Sequence, residues 1–208
     1  MIIFATYHDE STAESIKIAK SIVEPEDIPL LETEAIKPRL LSVLNAHKQR
    51  QLMIFSHGKP NYCLGNDHIP ALTTDDIALL DHRKVFAYAC WTAVELGKMA
   101  SEKENCLYAG YNNIVITGGS EIPIEMQTIF QFIKQHFHKP QSKEEVSFFL
   151  KKLSSLCNQT EQNYLERYPQ NLDYIGISTT LRNIWAKLEI WLTHEKFTHP
   201  DAIEPLLW

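Results

Sequence analysis

Short apolar runs alternate along this chain with longer stretches in which apolar residues recur every three or four positions. The runs near 2–7, 51–56, 84–89, 113–117 and 172–178 read as buried strands. Helical patterns span 11–22, 34–48, 74–80, 92–103, 122–137, 143–157 and 180–193, the last with Leu181, Ile184, Trp185, Leu188 and Trp191 on one face. Strand and helix alternate as βαβ units do. That predicts an α/β fold with a mainly parallel central sheet covered by helices on both faces, in a single domain over 1–208. Pro60, Gly65 and Pro70 mark an irregular surface loop between His57 and Asp75, a place where a substrate could be gripped.

Two of the apolar runs end in reactive side chains. Leu52-Met53-Ile54-Phe55-Ser56 runs into His57-Gly58, and Val85-Phe86-Ala87-Tyr88-Ala89 runs into Cys90. On neighbouring parallel strands both would emerge at the carboxyl edge of the sheet, where open α/β sheets place their sites. A thiol is mostly protonated at neutral pH, so an imidazole must take its proton before sulfur attacks a carbonyl. His57 is the candidate base and Cys90 the candidate nucleophile. Gly58 lets the chain turn off the strand, and its N–H, with that of Cys90, is the candidate oxyanion hole. A helix beginning just after Cys90 would favour the thiolate through its positive end. Taken singly, a cysteine closing a strand is a core thiol and a histidine before glycine is a turn residue; the pairing and order make the case.

The run from Leu52 to about Phe137 resembles the clan CD cysteine peptidases, which include caspases, separase and gingipains, and within them the bacterial CHAT domains. The resemblance rests on Ser56-His57-Gly58, on Ala89-Cys90-Trp91-Thr92-Ala93 followed by a helix, and on Ala109-Gly110 read as a turn before a strand. Two departures stand out. The segment from His57 to Cys90 has no obvious extra strand pair, and Thr117-Gly118-Gly119-Ser120 stands where many CHAT domains carry a tryptophan-containing loop. The resemblance implies a caspase-like three-layer sandwich and a cysteine endopeptidase that cuts a limited set of protein substrates, tied to bacterial regulation or defence and switched on by a protein partner. It also points to the end of the first strand and the loop after 113–117 as pocket walls. Asp9 and Glu121 lie there and could receive a basic side chain, although each also fits a helix-capping role. Trp91 to Ile116 carries no long polar linker, so the active form is expected to be one uncut chain.

Composition narrows the alternatives. With 208 residues, 44% hydrophobic and 22% charged, the chain has room for a large core, and a net charge of -6 without Lys/Arg runs argues against nucleic-acid binding by bulk charge. The opening Ile2-Ile3-Phe4-Ala5-Thr6-Tyr7 is too short for a signal-peptide core, and nowhere do eighteen apolar residues run together, so a cytoplasmic protein off the membrane is expected. Cys63, Cys90, Cys106 and Cys157 lie far apart without CxxC spacing, and neither His136 and His138 nor His194 and His199 have metal-ligand spacing; no metal or cofactor is called for. Trp208, in the tail Pro205-Leu206-Leu207-Trp208, would be an apolar anchor for a partner. Two rival functions remain: a catalytically silent docking module on the same fold, and a thiol hydrolase or transferase acting on small molecules.

Overall fold

The computed structural model describes residues 1–116, 123–170 and 174–202. Its central sheet has seven strands. In chain order these are β1 (Ile2–Ala5), β2 (Ile28–Leu31), β3 (Leu52–Phe55), β7 (Lys84–Tyr88), β8 (Leu107–Tyr111), β9 (Leu188–Leu192) and β10 (Glu195–Phe197). The intervening β4 (Gly58–Lys59), β5 (Tyr62–Leu64) and β6 (Pro70–Thr73) form a separate antiparallel sheet. Spatial order in the large sheet is β10-β9-β8-β7-β3-β1-β2, parallel from β2 to β8 and antiparallel at β9 and β10.

The middle strands are apolar throughout because both their faces are covered. Ile3, Ala5, Met53, Phe55, Phe86 and Tyr88 point into a layer formed by α1 (Glu10–Ser21), α4 (Pro123–His136), α5 (Lys143–Arg167) and α6 (Tyr174–Ala186). Ile2, Phe4, Leu52, Ile54, Val85 and Ala87 point the other way, against α2 (Lys37–Ala46), a 3₁₀ segment at Thr74–Leu80 and the turn ending in α3 (Lys98–Ala100). The result is α/β, with helices on both faces. Among the described residues no helix is long and apolar enough to cross a membrane.

Several expected elements come out differently, each for a local reason. The strand expected at 113–117 lies earlier, at Leu107–Tyr111, so Gly110 is mid-strand, where an added Cβ would meet Thr92 Oγ1 at 2.9 Å. The strand expected at 172–178 overlaps α6, which starts at Tyr174. Leu188 and Trp191, read as the end of a helix over 180–193, belong to β9, whose hairpin with β10 turns through Thr193 and His194, both at positive φ (49° and 67°). β2 is a strand beyond those expected; its Pro29 is tolerated because β2 lies on an edge, where one side of the strand needs no hydrogen bonds. The loop expected between His57 and Asp75 is the small sheet, pinned beneath by Ser56, whose hydroxyl donates to the Leu64 carbonyl (2.6 Å) and accepts from Thr6 Oγ1 (3.0 Å).

Candidate active site

The strand ends converge as expected from their apolar runs. Phe55 is level with Tyr88 in the parallel β3–β7 pair, and Ser56 N–H still donates to the Tyr88 carbonyl at 3.4 Å. His57 and Cys90 each follow two residues later, at the same carboxyl edge. The two backbones then touch. A Cβ placed on Gly58 would lie 2.4 Å from the Cys90 carbonyl oxygen and 2.6 Å from Thr92 Cγ2, so only glycine fits there. The hairpin turn after Gly58 adds a further clamp, since the Pro60 carbonyl accepts from Leu96 N–H at 2.7 Å.

Beyond Cys90 the chain reverses abruptly. Trp91 has φ 64°, a left-handed conformation that costs a non-glycine residue roughly 1–3 kcal/mol and concentrates at functional sites. The helix expected at 92–103 is a π-helical turn, Ala93–Gly97, running into the single turn of α3. Trp191 Nε1–H donates to the Ala93 carbonyl at 2.8 Å and ties that turn to β9. So short a helix offers Cys90 little dipole. Burial pushes the Cys90 thiol up from its ordinary value, opposed by hydrogen bonds from the Val115 and Cys90 amides and by the charges of Lys187 and Lys59. The net effect of the surroundings is to favour the protonated thiol.

The segment after β8 wraps the cysteine. Val115 N–H donates to Cys90 Sγ at 3.2 Å, and the Asn113 carbonyl accepts from Trp91 N–H at 3.3 Å. Lys187 Nζ donates to the Ile114 carbonyl (3.3 Å), Tyr88 OH to that of Ile116 (3.3 Å), and Asn112 Nδ2 to Glu189 Oε1 (2.8 Å). Five consecutive residues are thus stapled beside the thiol, with Ile114 and Ile116 left exposed as an apolar lip.

His57 has its own surroundings, which the sequence pattern did not single out. Its Nε2 lies 2.8 Å from Asp9 Oδ2, and its ring stacks on His8 with centroids 5.5 Å apart and planes 23° from parallel. His8 in turn meets His68, from the loop between β5 and β6, at 4.5 Å. Both His8 ring nitrogens are buried without a hydrogen-bond partner among the described residues, and burial, followed by His68 and His57, pulls its pKa below the ordinary value. Despite three neighbouring imidazoles, no three His, Cys, Asp or Glu side chains among the described residues are arranged to hold a metal ion. His57 and Cys90 are not hydrogen-bonded to each other; each is held by a different partner, Asp9 and Val115.

Asp9, expected to receive a basic substrate side chain, is half exposed and already engages both carboxylate oxygens within the chain. Oδ1 accepts from Thr12 N–H (3.0 Å) and Ser11 Oγ (2.7 Å), capping α1, and Oδ2 faces His57. Glu121 and the 117–120 stretch, like the tail with Trp208, lie outside the described residues. Two of the other histidines noted in the sequence have structural partners: His136 Nδ1 pairs with the Phe132 carbonyl at 2.9 Å, and His199 Nε2 with Ser154 Oγ at 3.0 Å. No protein-family model matches the chain, and no curated protein matches it in sequence.

Proposed function

We propose that this chain is a caspase-like cysteine endopeptidase, similar in layout to the CHAT domains, acting on a limited set of protein substrates under the control of a protein partner. What supports it most is the register of β3 and β7, which brings His57-Gly58 and Cys90 side by side at the carboxyl edge with their backbones in contact. In this reading His57 takes the Cys90 proton as sulfur attacks the scissile carbonyl carbon. The tetrahedral oxyanion is met by the Gly58 and Cys90 amides. The peptide C–N bond then breaks, the amine leaves with the proton from His57, and water, deprotonated by the same ring, releases the acyl group from sulfur. In this reading the exposed Ile114 and Ile116, beside the thiol, offer an apolar surface to a peptide substrate.

The separation of His57 from Cys90 by hydrogen-bond partners, and a thiol whose protonated form is favoured by burial, favour one alternative, the silent docking module. Mapping of new protein N-termini in cells expressing the wild-type chain or Cys90→Ala decides between them. The peptidase reading expects a small set of cleavages lost in the variant and in His57→Ala. Identical N-terminal profiles, with or without candidate partners co-expressed, would remove it in favour of the docking role.

A further inference from the structure

One carboxylate serves both the first helix and the candidate base. Asp9 Oδ1 is occupied by the helix cap: Thr12 N–H at 3.0 Å, Thr12 Oγ1 at 3.1 Å and Ser11 Oγ at 2.7 Å. Oδ2 is left to face His57 Nε2 at 2.8 Å. A carboxylate pinned on one oxygen presents the other at a set position, which is how a fixed partner orients an imidazole. The hydroxyl of Ser11 and the amide of Thr12, then His57, hold Asp9 well below the usual carboxylate range. Ionised, it can only accept, so Nε2 carries the proton and the lone pair of the neutral ring is on Nδ1.

We propose that Asp9 is a positioning residue for His57: it fixes the Nε2–H tautomer, leaves Nδ1 as the nitrogen that takes the Cys90 proton, and stabilises the imidazolium that results. This rests on the reading of His57 and Cys90 as the catalytic pair. The other groups bearing on the pair are His8, stacked on His57; His68 and Asp67 beyond it; and Lys59 and Lys187 around the thiol. Asp9 and His57 are 52% and 38% exposed, so water screens their attraction. Where the orienting carboxylate is buried, its amide costs about 10⁴ in turnover; here a loss of about 10- to 100-fold is expected.

The test uses the full chain and needs no known substrate. The rate of Cys90 alkylation by iodoacetamide is followed by mass spectrometry from pH 5 to 9 in wild type, Asp9→Asn, Asp9→Ser and His57→Ala. Asparagine and serine both keep a cap acceptor for α1. Wild type should show an acid-side limb that His57→Ala abolishes. In both Asp9 variants that limb should shrink about tenfold or more and the profile should approach that of an isolated thiol. Ser142→Ala, which removes the cap of α5 far from the site, should lower stability and leave the profile unchanged. A His57-dependent profile that neither Asp9 variant alters would overturn the role of Asp9 and leave the catalytic pair standing. A wild-type profile identical to that of His57→Ala removes the pair itself, and the role of Asp9 with it.

Discussion

The two ends of the central sheet treat polar groups in opposite ways. At the amino edge, Lys134 is 5% exposed yet fully occupied: its Nζ donates to Glu24 (2.8 Å), Asp27 (2.6 Å) and the Ile22 carbonyl (2.6 Å), while Asp27 also pairs with the chain's amino group at 3.0 Å. Arg83, just before β7, is buried against the carbonyls of Leu44, His47, Arg50 and Leu79, closing the end of α2 over the strand starts. At the carboxyl edge His8 has two buried nitrogens without partners among the described residues, Trp91 sits at positive φ, and a half-buried thiol is held above its ordinary pKa. At one end Lys134 and Arg83 are each held by several partners; at the other a buried ring and a strained backbone sit beside the thiol. Stability concentrated at one edge can support a local arrangement at the other that would not form by itself.

The sharpest way to break that contrast is to exchange losses between the edges. Under the proposed function, Cys90→Ala should abolish peptide cleavage, a fall of more than about 10³, while the thermal midpoint stays within a degree or two or rises. Lys134→Met should do the reverse. Removing one partner of a buried ion pair costs about 3–5 kcal/mol; because the amino terminus still faces Asp27, the lower figure is expected, or a drop of roughly 10 °C by calorimetry. Cleavage per folded molecule should be unchanged. If Lys134→Met also altered alkylation of Cys90 under native conditions, the two edges would be coupled and the contrast would fail.

Gly58→Ala probes the boundary, since it places a methyl where the Cys90 carbonyl and Thr92 already stand. Overpacking of this kind costs about 1–3 kcal/mol. Here it should also push His57-Gly58 away from Cys90, so denaturant unfolding and Cys90 alkylation should both change. A variant that loses stability alone would mean that the small sheet yields and the site does not.

The site's backbone was readable and its side-chain company was not. Apolar runs ending in His57 and Cys90 report strand ends directly, because parallel strands covered on both faces leave few polar residues until the edge. β4, β5 and β6 escape such a reading, since Lys59-Pro60-Asn61, Gly65 and Pro70 punctuate three strands of two to four residues and look like a loop. In β9, Leu188 continues the three-and-four spacing of Leu181, Ile184 and Trp185, so helix and strand periods coincide until the Thr193-His194 turn. Asp9 was visible as a helix cap. That its second oxygen meets His57 depends on β1 lying beside β3, a tertiary fact that spacing along the chain does not carry.

Acid should expose the same contrast from both sides. His8, His138 and His199 are pulled down chiefly by burial, so the unfolded chain takes up protons near pH 6.5 before they do and stability falls as pH drops below that point. Asp27 behaves as a depressed carboxylate: burial alone would raise it, but Lys134, the Glu24 amide and the amino terminus outweigh that, so its contribution is present above the unfolded pKa near 4 and lost as pH falls further. Urea unfolding between pH 8 and 3 should show two successive declines. In Lys134→Met the lower decline should weaken and the upper one persist.

The smallest expected effect is the most specific. His8→Phe keeps a ring against His57 and His68 and removes two nitrogens that have no partner among the described residues. Leaving a buried polar group unpaired costs about 1–3 kcal/mol, but His8 is only partly buried, so a gain of about 1 kcal/mol or less is expected at pH 7.5. The gain should widen at pH 5.5. There the unfolded wild type binds a proton at His8 that the folded state, with its pKa held down by burial and by the neighbouring imidazoles, resists. Phenylalanine has no proton to bind in either state. Paired urea titrations at the two pH values measure the difference. An equal gain at both would mean that His8 titrates in the fold as it does in an open chain, and a loss of stability at pH 7.5 would mean that its nitrogens are served by water, removing His8 from the unsatisfied groups of the carboxyl edge.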